Sequence, residues 1–596
     1  MKEISSEDKL YKIRHSLAHV MAQAVLQIRP KAKLAFGPPI DNGFYYDFDF
    51  ETPISDQDFA DIEKRMRRII ADRQEFNESK MPVKDAIEHL KKQDQGYKVE
   101  YAQELVTQGE TELGFYVNGT FEDMCRGPHV KHTGELPPDC FKLDSIAGAY
   151  WRGSEKNPQL SRIYAVAFNN KAELEDYLQR RELAKQRDHR KLGKELDIFM
   201  MSDSVGQGLP LWLPHGTAIK DELEALAKET EFKYGYQRVS TPHIAKEEVY
   251  LRSGHLPYYK DTMFPPMTLE GESNYYLKAM NCPHHHLIYG HRPRSYRELP
   301  VRLAEYGTCY RFEASGTLSG LQRVRSLCMN DAHIYLGKEH LSDEVKSIVN
   351  MHLDYYKMFR FDGIAMRLSL HDPVRKEKYI NNPEAWKFSE EYMKNVLEEL
   401  KVPYFEAKDE AAFYGPKIDF QARTILGKDE SIGTVQLDFQ GAINFDLKYT
   451  GADGLEHQPY IIHRAPLSTH ERFLSFLIEH LGGAFPTWLA PTQVRLIPVK
   501  SDFMGYCEEL AAKLRENFIR CDIDTSDNSF NKKIREAVTT KIPNMAIVGG
   551  KEIENKTVTL RRYCVEKQVV MDRQQFIDRI LRLKKDRAMD NFADVE

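Results

Sequence analysis

The stretch Tyr310-Arg311-Phe312-Glu313, followed by a Ser/Gly-rich run from Ala314 to Gly320 and then by Arg323-Val324-Arg325, restricts the fold more tightly than any other local feature of the chain. It reads as two strands joined by a loop, with guanidinium groups on both. Arginine suits the capture of phosphate or carboxylate oxygens, because its planar fork grips them in pairs and keeps its charge. Alone, the same pattern describes a surface hairpin with salt bridges. A second segment, His463-Arg464-Ala-Pro-Leu-Ser-Thr-His470-Glu471-Arg472-Phe473, changes that balance. It opens an apolar-periodic helix through Leu481 and sets another arginine near a helix N-terminus, where anions are favoured. Neither GxxxxGKS/T nor GxGxxG occurs, so a nucleotide would have to be held without those glycine cradles.

At ~150 residues per domain, 596 residues predict about four structural units. In residues 1–168, Leu10–Ile28 has helical spacing stopped by Pro30, whereas Gly43–Phe50 alternates apolar and polar side chains as a strand does. An α+β domain follows from that mixture. Residues 169–199 hold Lys171–Leu196, rich in helix formers with opposite charges three and four apart, and predict a solvated connecting helix. Residues 200–490 alternate apolar runs, Gly/Pro punctuation and Arg/His/Tyr clusters, as an enzyme core would. In residues 491–596, strands at Val494–Val499, Asp522–Asp524 and Met545–Val548 alternate with helices at Tyr506–Phe518 and Asn531–Lys541. That order predicts a small α/β domain with a mainly parallel sheet.

Charge narrows the partners. The 84 basic and 90 acidic side chains give a net charge of −6, which excludes a globally basic coat for DNA and leaves only local nucleic-acid contact. Residues 491–596 carry 20 basic against 17 acidic side chains, the sign an RNA-binding module needs. The eight cysteines form no CxxC pair, so neither a disulfide framework nor a zinc ribbon is implied, and a reducing cytoplasm is the expected compartment. The first twenty residues lack an apolar core, and no apolar run approaches the ~20 residues that span a bilayer, so no membrane partner is expected.

Tyr310-Arg-Phe-Glu313 with its loop and Arg323, together with His470-Glu-Arg472-Phe, resembles motifs two and three of class II aminoacyl-tRNA synthetases. Pro242, in Tyr236-Gln-Arg-Val-Ser-Thr-Pro242, resembles their dimer-interface motif one. The strings Met280-Asn-Cys282-Pro, Asp331-Ala-His333-Ile, Phe413-Tyr-Gly-Pro-Lys417-Ile-Asp and Thr434-Val-Gln436-Leu-Asp-Phe narrow the likeness to the threonyl-tRNA synthetase family, over nearly the whole chain. The resemblance implies a multidomain α+β protein: an N-terminal α+β editing domain, a class II catalytic core on an antiparallel sheet, and a C-terminal α/β anticodon-binding domain. It also implies ATP with Mg2+, L-threonine and tRNA(Thr) as partners, and a homodimer.

By the same resemblance Arg311 grips the α-phosphate and the reacting carboxylate, Arg323 the outer phosphates, and Arg472 stacks on adenine. Glu313 orients the adenine or an arginine. Cys282, His333 and His463 match the family's zinc ligands, with an open coordination position as in catalytic sites. Zinc answers a discrimination problem: threonine and valine are nearly isosteric, and an apolar pocket rejects a hydroxyl by only ~10²-fold. Asp331 would accept from the substrate hydroxyl, Tyr414, Lys417, Gln436 and Met280 line the pocket or nucleotide site, and His255 aligns with a histidine that aids proton removal from the tRNA 2′-hydroxyl. Without the resemblance, the run Cys282-Pro-His284-His285-His286 suggests a compact metal site instead.

Serine differs from threonine by one methyl, worth only ~1–3 kcal/mol, so a correcting site is required. His15-Ser-Leu-Ala-His19 sets two imidazoles on one helix face, and Asp123-Met-Cys125-Arg-Gly-Pro-His129 follows in the same predicted domain. A lone HxxxH on a helix is more often packing or surface chemistry, and HxxxH together with CxxxH reads equally as a four-ligand metal site. The resemblance assigns His15, His19, Lys98, Asp123, Cys125 and His129 to a pocket that sets water against the ester of Ser-tRNA, and Glu552 and Arg561 to anticodon recognition.

The chain departs from the family pattern in places. His15 lies too near Met1 to leave room for the ubiquitin-like domain of many bacterial relatives. Leu327-Cys-Met329-Asn330-Asp331 stands where Phe-x-Gln-Asp-Asp is usual, Ser431-Ile432 where Gln-Cys is common, and Ser526-Asp527-Asn528-Ser529 where Arg-Asn-Glu-Lys is usual. Ser468 replaces a motif-three glycine. Met329 leaves open an alternative, a catalytically silent paralogue that binds a tRNA-like RNA, and the N-terminal unit could instead be a structural tRNA clamp.

Overall fold

The computed structural model describes residues 9–269, 271 and 273–592, so the residues at the very N-terminus lie outside it. The chain divides into two units, residues 1–182 and 183–596. In the first, the helix Lys9–Leu26 is buried on nearly every side from Ile13 to Val25, including the polar Arg14, His15, Ser16, His19 and Gln23. It packs with Phe44, Tyr46 and Phe48 of the strand Gly43–Asp49 and with Ile62 and Met66 of the helix Phe59–Ala71. That strand joins an antiparallel sheet with Gln159–Ala167 and Phe141–Tyr150. A three-stranded sheet, Phe76–Pro82, Glu112–Asn118 and Phe121–Met124, lies beside the helices Val83–Lys92 and Gly96–Thr107.

The connecting segment is not one helix. It breaks at Asp188 into Lys171–Arg187 and His189–Glu195, because the Asp188 carboxylate accepts from the Arg190 backbone N–H and starts a second helix. A short acid side chain competes with the helix for backbone donors, and charge periodicity does not register that competition.

The second unit is organised on an eight-stranded sheet, ordered Gln237–Arg238, Val301–Tyr310, Ser326–Leu336, Tyr460–Ala465, Asp429–Asp438, Lys417–Arg423, Ala365–Ser369 and Tyr404–Ala407. Pairing is antiparallel except at the two edges. One register row runs Leu303, His333, His463, Gln436, Lys417 across five strands. Side chains alternate faces along a strand, so the neighbours Ile334, Ile462, Val435, Leu437 and Ile418 point the other way. They form the core with Leu223 and Leu226 of the helix Pro214–Lys233, Ile348 of Leu341–Met358, Met393 of Pro383–Leu400 and Leu474 of His470–Leu481. The guanidinium groups of Arg311, Arg323 and Arg325 lie on the connection between strands ending at Tyr310 and starting at Ser326, not on the strands.

Near the C-terminus the expected strands and helices occur as Val494–Pro498, Met504–Glu516, Cys521–Ile523, Phe530–Thr539 and Asn544–Val548. Those three strands are parallel, but Thr557–Arg562 and Val569–Asp572 add antiparallel. The link from Val548 to Thr557 is shorter than the dozen or so residues a parallel crossover needs, so the sheet is mixed.

Candidate functional site

The register row opens into a cleft of about 800 Å³ lined by Arg311, Glu313, Arg323, Arg472, Met280, Cys282, Asp331, His333, Tyr414, Lys417, Gln436 and His463. Four residues of one strand, Leu327, Met329, Asp331 and His333, reach it together because they are two apart. Of the residues foreseen for this site, only His255 is not on its wall. It is buried behind, with Nε2 at 3.8 Å from Cys282 Sγ and Nδ1 at 2.8 Å from Ser253 Oγ. Burial, with His463 and Arg311 nearby, pushes His255 down to about 3.

One ligand atom from each of Cys282, His333 and His463 lies within 4.8 Å of the others, and all three residues are buried. Hydrogen bonds assign the protons. Asp438 Oδ2 is 3.0 Å from His463 Nε2; burial alone would raise this carboxylate, but the bond to His463 holds it below its ordinary value. Glu305 Oε1 is 3.1 Å from His285 Nε2 and, against its burial, is held at about 2 by His285 and Lys278. A carboxylate only accepts, so His463 carries its proton on Nε2 and His285 on Nε2. With both rings neutral, His285 Nδ1 is bare and takes the Nδ1–H of His333 at 2.8 Å. His333 Nε2 and His463 Nδ1 therefore face each other at 3.1 Å with a lone pair on each. Two such nitrogens repel unless a cation lies between them, and two nitrogens on one tetrahedral zinc stand ~3.3 Å apart at Zn–N distances of ~2.05 Å.

Around this cluster, Tyr414 stacks on His463 with centroids 4.9 Å apart and donates to Gln436 Oε1 at 2.6 Å. Asn281 Nδ2 donates to Asp331 Oδ2 at 3.0 Å, and burial raises that carboxyl. Lys417 pairs with Asp419 at 2.9 Å. Arg323 is paired with Glu313 at 2.8 Å, and Arg472 donates through Nε to Gln322 O at 3.3 Å. Burial lowers Arg472 from its ordinary value. Asn281, His285, Glu305 and Asp438 were not foreseen. Two of them had a signal: His285 is one turn beyond Cys282 on the helix Cys282–Tyr289, and Asp438 is two beyond Gln436 on its strand.

The N-terminal unit has its own pocket of about 610 Å³, lined by His15, His19, Lys98, Asp123 and Cys125 among others. His15 and His19 project from one helix face, and single ligand atoms of His15, His19, Cys125 and His129 lie within 4.8 Å of one another, a group that could hold a metal ion. Cys125 Sγ is 3.2 Å from His129 Nε2, Lys98 Nζ is 2.7 Å from Asp123 Oδ1, and Tyr46 donates to Asp123 Oδ2 at 2.6 Å. Burial lowers His15 to about 4, lowers His19 and His129 further below their ordinary value, and raises the Cys125 thiol to about 12. In the C-terminal domain Glu552 reaches back over the start of its own helix, accepting from Gly549 N at 2.9 Å and from Thr559 Oγ1 at 2.8 Å. Arg561 Nε has no hydrogen-bond partner among the described residues.

Residues 104–164 match the family described as the threonyl and alanyl tRNA synthetase second additional domain, 267–481 the tRNA synthetase class II core domain (G, H, P, S and T), and 493–583 the anticodon binding domain. The threonine–tRNA ligase of Anoxybacillus flavithermus is 47% identical over 95% of this chain and 88% of its own length. The chain belongs to the threonine–tRNA ligase family. The ligase of Staphylococcus carnosus is 46% identical over 98% of this chain and 90% of its own. A solved structure described as the RNA binding domain of threonyl-tRNA synthetase from Cryptosporidium parvum superposes with a TM-score of 0.63 at 33% identity, covering 66% of this chain and 97% of that one. As a threonine–tRNA ligase the chain carries a class II catalytic core and an anticodon-binding domain, and its additional domain fits editing. Among the described residues, no helix is long and apolar enough to cross a membrane.

Proposed function

We propose that the cleft binds ATP with Mg2+ and L-threonine, forms threonyl-adenylate and pyrophosphate, and passes threonine to the 3′ end of tRNA(Thr). The observation that carries the residue assignment is the pair of imidazole nitrogens 3.1 Å apart beside a buried thiol. Cys282, His333 and His463 would hold one zinc, which supplies Lewis-acid binding of the amino and hydroxyl groups and so rejects valine. Asp438 and His285 fix the tautomers of the two imidazoles that would bind it. Asp331 takes the substrate hydroxyl, the Tyr414–Gln436 pair and Met280 wall the amino acid, and Lys417 adds positive charge toward the nucleotide.

Arg311 then faces the carboxylate and the α-phosphate. A carboxylate oxygen bonds to the α-phosphorus as the bond to the β-phosphate oxygen breaks, and charge developing on the phosphates is stabilised by Arg311 and by Arg323, released from Glu313. Arg472 lies along the adenine. His255 assists proton removal from the tRNA 2′-hydroxyl. In the N-terminal pocket the imidazoles are neutral and the thiol is protonated, which suits water orientation and general-base help toward Ser-tRNA rather than thiolate attack. The Lys98–Asp123 pair orients the substrate. Glu552 and Arg561 serve anticodon recognition, where an arginine can stack on or hydrogen-bond to an unpaired base. We further propose a homodimer, from the segment around Pro242, working in the cytoplasm.

Metal analysis and amino-acid-dependent exchange of pyrophosphate into ATP test the reading together. One zinc per chain, lost in Cys282→Ala, and exchange driven by threonine are expected. An unchanged metal content in that variant removes Cys282 from the site, and exchange with serine or valine but not threonine refutes the assignment.

A further inference from the structure

Just where the connecting segment breaks, His189 is buried and its two ring nitrogens are both engaged. Leu321 N–H donates to His189 Nε2 at 3.1 Å, so that nitrogen carries no proton. The proton is therefore on Nδ1, which lies 2.7 Å from Glu479 Oε1. Asp188, His189 and Glu479 are close enough to share a cation, but Asp188 is already gripped by Arg190 at 2.6 Å, and hydrogen bonds account for the whole ring.

Leu321 sits at the tip of a tight turn whose ends, Ser319 and Arg323, bond to each other through their backbones. Gly320, at φ +48°, presses onto the imidazole so closely that a Cβ there would lie 2.3 Å from His189 Nε2. The other side of the tip is tied by Arg472, through Gln322 O. Arg472 and Glu479 are seven residues apart on the helix His470–Leu481 and thus on one face of it. One helix face accordingly holds the turn twice, once directly and once through His189.

We propose that His189, oriented by Glu479, is a positioning residue for nucleotide binding: it fixes the turn Ser319–Arg323 and so presents Arg323 to the cleft. The phosphate role of Arg323 is taken from the function proposed above, on which this inference rests. His189 itself touches no substrate.

The test uses the full-length chain with His189→Ala, His189→Gln, Arg323→Ala and the double variant His189→Ala/Arg323→Ala, read by pyrophosphate exchange and by hydrogen exchange of residues 314–325. His189→Ala should raise KM for ATP about tenfold, the loss of one buried hydrogen bond, with KM for threonine and kcat within about twofold. Protection of 314–325 should fall with it. His189→Gln, whose Oε1 can replace the acceptor, should recover most of the loss, and the double variant should be no worse than Arg323→Ala alone. Unchanged protection and unchanged KM for ATP in His189→Ala overturn the inference, as does an additive double variant or an equal loss for both substrates. If Arg323→Ala leaves KM for ATP unchanged while His189→Ala raises it, the positioning of the turn stands and the phosphate reading of Arg323 fails. Should His189→Ala not fold, Glu479→Ala decides, since it frees the imidazole without emptying its site; an unchanged KM for ATP there overturns the inference.

Discussion

The Lys98 ammonium lies 2.7 Å from the Asp123 carboxylate, with both side chains almost wholly buried. Asp123 also accepts from Tyr46 and stands 3.6 Å from His19, so one carboxylate organises the floor of the N-terminal pocket. Breaking a buried pair from one side leaves the other charge stranded, at a cost of ~3–5 kcal/mol. Asp123→Asn should therefore lower the stability of the N-terminal unit by roughly that amount in urea unfolding. Hydrolysis of Ser-tRNA should fall at least about tenfold while threonine-dependent exchange is unaffected. Unchanged hydrolysis would favour a structural clamp over an editing pocket.

Acid should loosen the same unit. Burial holds His15 at about 4, below its ordinary 6.5, so between those values the unfolded chain binds more protons than the folded one. The stability contributed by neutral His15 is complete above about pH 6.5 and is lost as pH falls toward about 4. His19 and His129 are displaced in the same direction, also by burial, and add with the same sign. Urea midpoints measured from pH 7.5 down to 5 should decline for the N-terminal unit. A flat profile would show that the histidines are not buried neutral.

Met329 stands on the cleft-facing side of the strand Ser326–Leu336, two residues before Asp331. Its thioether is a weak acceptor and donates nothing, so the amino-acid side of the cleft lacks an amide at this point. Met329→Gln should lower KM for threonine about two- to tenfold, the worth of one added neutral hydrogen bond, and leave KM for ATP alone. A rise in KM for threonine would mean that Met329 is needed as apolar packing beside Leu327 and Cys309.

What the sequence revealed here followed the range of the physics. Strand alternation at Gly43–Phe50 and the strand–helix order after Pro491 are local patterns, and both elements occur close to where they are expected. The three candidate zinc ligands are not local: His333 and His463 are 130 residues apart and meet only because their strands pair in register. Spacing could not supply them; the family resemblance did. The histidine run after Cys282 does not converge on one point: among the described residues His284 has no hydrogen-bond partner, His285 bonds to His333, and His286 groups with Asp438 and His463. The helix break at Asp188 stayed hidden because a capping carboxylate looks like one more charge on a charged helix.

Ser468 shows how a sequence departure becomes a physical one. It stands where the family pattern has glycine, and its backbone is left-handed at φ +48°. Its carbonyl accepts from Asn330 N at 2.9 Å, and the next residue, Thr469, caps the helix of Arg472 through Oγ1 at 3.1 Å. The strained residue thus lies between a cleft-lining strand and the arginine proposed for adenine. A left-handed L-residue costs ~1–2 kcal/mol, and glycine's greater freedom in the unfolded chain offsets ~0.5–1 kcal/mol of the relief. Ser468→Gly should therefore stabilise the second unit by about 0.5–1 kcal/mol, seen as a higher Tm, with KM for ATP unchanged. Ser468→Val, β-branched at the same φ, should destabilise it by ~1–3 kcal/mol and raise KM for ATP as the cap at Thr469 shifts. Equal melting of the glycine and valine variants would show that the backbone at 468 relaxes freely, and that the pattern's glycine answers to some need other than conformation.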